Sequence, residues 1–102
     1  MDSINELQNK VAEFRDERDW KKYHTPKDLS LSITLEAAEL LELFQWRDDG
    51  YKKERLEEEM ADVMIYLLSL ADVADIDLGK AVLSKLEKNK QKYPVNGSTK
   101  RF

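Results

Sequence analysis

The chain of 102 residues has no cysteine, which excludes a disulfide framework and a zinc–thiolate site. That suits a reducing compartment, and a cytoplasmic location is expected. Glycine occurs three times and proline twice, so no glycine-rich loop able to cradle phosphates is present. The opening stretch, MDSINELQNK, lacks the basic-then-apolar pattern of a signal peptide. The longest apolar run, around Val63–Ala71, is too short to span a bilayer, so no membrane partner is expected. A dominant charge is missing as well. The net charge is −4 with both signs interspersed, which gives no electrostatic footprint for a nucleic-acid polymer.

What is abundant points one way. Leu, Glu, Lys and Ala are good helix formers, and their prevalence predicts an all-α fold in one domain, residues 1–102. Four helices can be placed. The first runs over Ser3–Arg18, opened by the capping box Ser3-Ile4-Asn5-Glu6, with Ile4, Leu7, Val11 and Phe14 as its stripe. After the link DWKKYH, Thr25 caps the second helix with Pro26 in its first position. This helix is expected to reach Arg47, before the turn Asp48-Asp49-Gly50. A third helix covers about Tyr51–Ala74. Asp77 caps a fourth, Leu78 to about Lys92, ended by Pro94, and the tail from about residue 95 is expected to fray.

The stretch TLEAAELLELFQW carries the first chemical signal. With about 100° per residue and Glu36 at zero, Leu29, Ile33, Leu40, Leu43 and Phe44 fall at roughly 20°, 60°, 40°, −20° and 80°. Glu36 thus lies inside the apolar arc and Glu39 on its edge, while Glu42 points away. LEEEMADVMIYLL repeats the arrangement. Glu59 and Tyr66 border the stripe of Leu56, Val63, Leu67 and Leu70, with Asp62 further round, and Glu57 and Glu58 are directed elsewhere.

An acidic i,i+3 pair is unremarkable where 37% of residues are charged. Two such pairs, each beside its helix's core stripe, are less easily assigned to a solvated face. Carboxylates about 5 Å apart repel by roughly 3 kcal/mol per pair at an effective dielectric near 20. Burial adds several kcal/mol per ion. Protonation, strong partners or a cation must offset that cost. Hard oxygen donors without cysteine favour Mg²⁺ or Mn²⁺. A di-iron bundle would need Glu-x-x-His on two helices, and His24 is the only histidine. Carboxylate-held Mg²⁺ suits phosphate-ester chemistry.

At these residues the chain resembles a family. Glu36-x-x-Glu39 and Glu59-x-x-Asp62 look like the metal-binding signature of the MazG-like, all-α nucleoside triphosphate pyrophosphohydrolases. FRDERDW, LFQW, EEEMADVMIYL and KNKQKYPV are similar to segments of its short dCTP pyrophosphatase branch, and the likeness covers Leu7 to about Val95. It implies hydrolysis of a (deoxy)nucleoside triphosphate to monophosphate and pyrophosphate, as nucleotide-pool house-cleaning. Glu36, Glu39, Glu59 and Asp62 would then hold Mg²⁺, and one of them would orient or deprotonate the attacking water. Trp20 and Trp46 would stack on the base, Tyr66 would lie against the nucleotide, and the link Trp20–His24 would line the pocket. The vertebrate dCTP enzymes carry a histidine where this chain has Val11. A base-edge hydrogen-bonding group is missing there, which leaves a wider deoxynucleotide range open, dATP included.

Lys85, Asn89 and Tyr93 recur at i, i+4 and i+8 beside Val82 and Leu86. Snorkelling at a helix end would account for them; matching family positions favour phosphate contact, since a triphosphate needs positive charge beyond that of the metal. Helix three has a second apolar face, Ala61, Met64, Ile65 and Leu68, for which four short helices offer little cover. A homo-oligomer is expected, and the family's dimers and tetramers agree. Two rivals remain: a related enzyme preferring another nucleotide such as dUTP, and a helical interaction module with merely structural carboxylates.

Overall fold

The computed structural model describes residues 3–46 and 49–95, and these form an all-α fold. Four α-helices follow one another: α1 (Ile4–Glu17), α2 (Pro26–Glu42), α3 (Lys53–Val73) and α4 (Leu78–Lys92), with a 3-10 turn at Lys21–Tyr23. Three helix starts are fixed by side chains. Ser3 Oγ accepts from Glu6 N, Thr25 Oγ1 from Asp28 N, and Asp77 Oδ1 from Lys80 N, each at 3.1 Å. Every such cap satisfies an amide that the helix leaves unpaired, an effect worth about 1 kcal/mol.

The ends of α1 and α3 share one design. Asp19 and Asp75 adopt positive φ, 55° and 58°. Trp20 N then donates to Arg15 O at 3.1 Å and Ile76 N to Ala71 O at 2.8 Å. These are Schellman closures, with aspartate at the position usually held by glycine. They reverse the chain sharply, and at α1 the reversal folds the Trp20 ring back onto Phe14, edge to face at 5.7 Å.

α2 and α3 are antiparallel. Phe44 meets Tyr51 at 5.1 Å between ring centroids, whereas Glu36, earlier in α2, meets Glu59 and Asp62, later in α3. α3 is central, packed on α2 by one side and on α1 by the other, while α4 rests mainly on α1, where Gly79 faces Ile4. The buried apolar core comprises only Leu29, Leu68 and Ala71 among the described residues.

Three expectations require correction. Helix two stops at Glu42, not Arg47, because Leu43, Phe44 and Gln45 each donate three residues back instead of four, tightening the end so that Phe44 reaches Tyr51. Arg47 and Asp48 lie outside the described residues, as does the tail from residue 96. Phe14 is 48% exposed, and Arg15 at 3% takes its place in the interior. On the wheel Arg15 lies about 40° from Val11 and Phe14 about 60° to the other side, so the buried arc is displaced toward the arginine. Leu68, expected on an outward face, is 2% exposed and belongs to the core between α1 and α3.

Candidate metal–carboxylate site

The antiparallel pairing of α2 and α3 brings the two acidic pairs together. Glu36, Glu59 and Asp62 each offer a carboxylate oxygen, all within 4.8 Å of one another. Glu39 stands close enough for its charge to act on both Glu36 and Glu59. Geometry within one helix made this possible: residues three apart lie on one face, so each helix presents two carboxyls to its neighbour.

The cluster is electrostatically costly without a cation. Glu36 is pushed up to about 7 by its hydrogen bond with Glu39, by burial, and by the charges of Glu39, Asp62 and Glu59. Glu59 is also raised, first by burial and then by Glu39 and Asp62; Arg55, with Nη2 at 3.8 Å from Glu59 Oε1, opposes the shift. Glu36 Oε2 and Glu59 Oε2 are both buried with no hydrogen-bond donor among the described residues. Buried carboxylate oxygens are expensive to leave without a partner. A metal ion would satisfy them, and the donor set fits one.

A pH experiment on metal-free protein tests this strain. A carboxyl whose folded pKa lies above its unfolded value makes the folded state the better proton binder between the two values. Stability is therefore highest at the acidic end, falls as pH rises from about 4.5 to about 7, and is flat above. The metal-free melting temperature should fall over that window more steeply for the parent than for Glu36→Gln. Each kcal/mol of difference appears as roughly 4–8 °C in a domain of this size. Equal pH slopes for the two proteins would show that the cluster is unstrained.

The other sequence-derived candidates are distributed less compactly. Tyr66 is partly buried on α3, one turn beyond Asp62. Trp20 packs on Phe14, and His24 lies 6.4 Å from Trp20. The His24 Nδ1 is buried with no partner among the described residues, and burial together with the charge of Arg15 lowers its pKa. Trp46 stands 88% exposed past the end of α2. Val11 lines an apolar recess with Leu7, Phe14 and Ile65, bordered by Lys10. Lys85, Asn89 and Tyr93 lie on α4 or at its end, and Asn89 and Tyr93 share a shallow recess with Leu83, Leu86, Glu87 and Lys90. Within one chain α4 packs mainly on α1, so the structure does not bring these three to the carboxylates. Sequence reasoning passed over Arg15 and Arg55. Their signals were an arginine inside an apolar arc and an arginine four residues before Glu59.

Two antiparallel helices that bring Glu36, Glu59 and Asp62 together define an all-α protein with a carboxylate cluster able to hold a metal ion. Comparison with known proteins gives the relationship. The model of the MazG-like family matches residues 31–101. The dCTP pyrophosphatase 1 of Rattus norvegicus is 43% identical and that of Homo sapiens 40%, each match covering 92% of this chain and 61% of the relative. The chain thus spans about 61% of the length of the curated relatives it matches. A solved structure of a pyrophosphatase from Archaeoglobus fulgidus is 50% identical, with a TM-score of 0.83, covering 92% of this chain and 94% of that one. The chain belongs to the MazG-like family. Among the described residues no helix is long and apolar enough to cross a membrane.

Proposed function

We propose that this protein is a Mg²⁺-dependent nucleoside triphosphate pyrophosphohydrolase, with dCTP-like substrates and nucleoside monophosphate and pyrophosphate as products. The observation that carries the reading is the pair of buried oxygens on Glu36 and Glu59, without a donor among the described residues, inside a cluster contributed by two helices. The names of its relatives, dCTP pyrophosphatase 1 and a pyrophosphatase, supply the substrate class. Glu36, Glu39, Glu59 and Asp62 would hold the ion, and their all-oxygen character suits Mg²⁺, with Mn²⁺ as a substitute. When bound, the ion would supply Lewis-acid chemistry, offsetting the negative charge of the triphosphate and polarising its phosphoryl oxygens. One of the four carboxylates would take a proton from the water as its oxygen bonds to the α- or β-phosphorus, the bridging P–O bond between them breaks, and nucleoside monophosphate and pyrophosphate separate. Trp20 and Trp46 supply faces for stacking the base, His24 and Tyr66 line the pocket, and Lys85, Asn89 and Tyr93 contact phosphate.

The same reading calls for a second copy of the chain. The apolar side chains Met60, Leu31, Leu35, Leu41 and Leu83 are all exposed. A homo-oligomer would cover them and could bring α4 of a neighbour to the carboxylates, the placement that one chain does not provide.

A panel of nucleoside triphosphates with Mg²⁺, its products separated by ion exchange, tests the proposal. dCTP is expected among the best substrates, with purine deoxynucleotides also turned over, because a recess lined by Val11 lacks a base-edge hydrogen bond. Trp46→Ala should raise KM by about tenfold, since loss of base–aromatic stacking costs about 1–3 kcal/mol. Release of orthophosphate and nucleoside diphosphate would refute the cleavage site. No hydrolysis with Mg²⁺ or Mn²⁺ would favour the interaction module.

A further inference from the structure

Among the described residues one cation is buried, Arg15, which the proposed chemistry does not use. Its guanidinium is forked between two elements. Nη1 donates to Asp72 Oδ2 on α3 at 2.7 Å, while Nε and Nη2 both lie 3.0 Å from Asp16 Oδ1 on α1. The backbone at the same residue has a second task. Arg15 O receives both Arg18 N and Trp20 N, at 3.2 and 3.1 Å, which closes the Schellman turn and sets Trp20 against Phe14.

Both partners of the bridge therefore sit in matching helix ends. Arg15 lies in the last turn of α1, and Asp72 in the last turn of α3, whose Asp75 and Ile76 close it in the same way. The bridge spans 57 positions of sequence and joins the helix carrying Glu59 and Asp62 to the turn carrying Trp20 and His24. Beyond the turn, His24 presents a buried Nδ1 with no partner among the described residues, close enough to Arg15 for its charge to favour the neutral ring. A neutral imidazole keeps one ring nitrogen as donor and the other as acceptor.

We infer that Arg15, through its bridge to Asp72, is a positioning residue: it fixes the Trp20–His24 link, and thereby the wall that receives the nucleotide base, at a set place relative to the carboxylates of α3. The inference rests on the proposed nucleotide chemistry, because it assigns the link a substrate-facing role. A guanidinium suits the task because its planar fork holds two carboxylates at once, which the single point charge of lysine does not do.

The test must separate positioning from folding. Removing one partner leaves a buried unpaired charge, and Arg15→Gln alone could unfold the chain. The double variant Arg15→Met with Asp72→Leu removes both charges, and such replacements by apolar residues of similar size are often neutral or stabilising. For the fluorescence measurement alone it is made in a Trp46→Phe background, which leaves Trp20 as the only indole, and activity is measured with Trp46 in place. The double variant is expected to retain the helical circular dichroism signal and the Mg²⁺ affinity of its parent. Its Trp20 emission should shift to the red in the free protein. KM for dCTP should rise at least tenfold while kcat stays within about threefold, and Arg15→Lys should not restore KM. An unchanged KM, or an unchanged Trp20 emission, in a folded double variant overturns the inference. Loss of folding in the double variant overturns it too, since the bridge would then be part of the core. A parent that hydrolyses no triphosphate refutes the proposed function, whatever the variant does.

Discussion

Glu36→Gln and Glu59→Gln are each expected to reduce turnover by roughly 100- to 1,000-fold or more, the scale seen when one electrostatic group of a reacting site is lost. Glutamine preserves the shape of the side chain but removes the charge that would face the metal. Folding should not suffer. The surroundings of Glu36 and Glu59, through Glu39, burial and the neighbouring carboxylates, disfavour their charged forms in the metal-free fold, so neutralising one member removes an unfavourable interaction. The helical circular dichroism signal should be intact, and the metal-free melting temperature equal to or above that of the parent. Mg²⁺ should stabilise the parent and have a much weaker effect on the variants. Glu58→Gln, on the exposed side of α3, serves as control and should behave as the parent. Full activity in both Glu36→Gln and Glu59→Gln would remove the cluster from the reaction.

Met64→Arg is expected to give the second largest effect, on assembly. Met64 lines two apolar grooves. One, of about 570 Å³, lies along α2 and α3 with Leu40, Met60, Ala61, Val63 and Leu67; the other lies between α3 and α4 with Ile4, Leu78, Val82 and Leu83. Both grooves are open in a single chain. Arginine at this position can reach solvent in a monomer, but a covering subunit would bury its charge without a partner. That costs several kcal/mol, and each 1.4 kcal/mol weakens association tenfold. Sedimentation velocity should show the proposed oligomer for the parent and its loss in the variant, to a species of 12.0 kDa or to unfolded chain. Leu68→Arg is a contrasting case: Leu68 is interior to one chain, so this variant should unfold at any concentration. An oligomer of undiminished stability in Met64→Arg would mean that neither groove is a subunit contact.

How much of this was legible beforehand can be judged from particular residues. Ser3, Thr25 and Asp77 were readable as caps because each bonds an amide three residues away, an interaction complete within one turn. The relation of Glu36 to Glu39, and of Glu59 to Asp62, was equally local, since helical spacing alone puts each pair on one face. The end of α2 was not readable. Its residues have adequate helix propensity up to Trp46, and the helix yields at Glu42 because Phe44 finds Tyr51 across the connection.

The sequence by itself determined an all-α fold, three of its helix starts and the two acidic pairs, because these depend on backbone hydrogen bonds and periodicity within a few residues. Tertiary structure alone decided that Glu36, Glu59 and Asp62 converge within 4.8 Å, that Leu68 turns inward, and that Arg15 is buried against Asp72. A face of a helix is set by its own sequence, but what covers that face depends on which helix packs there. Only the antiparallel α2–α3 pairing and the docking of α1 on α3 supply that information, since they join residues more than twenty positions apart.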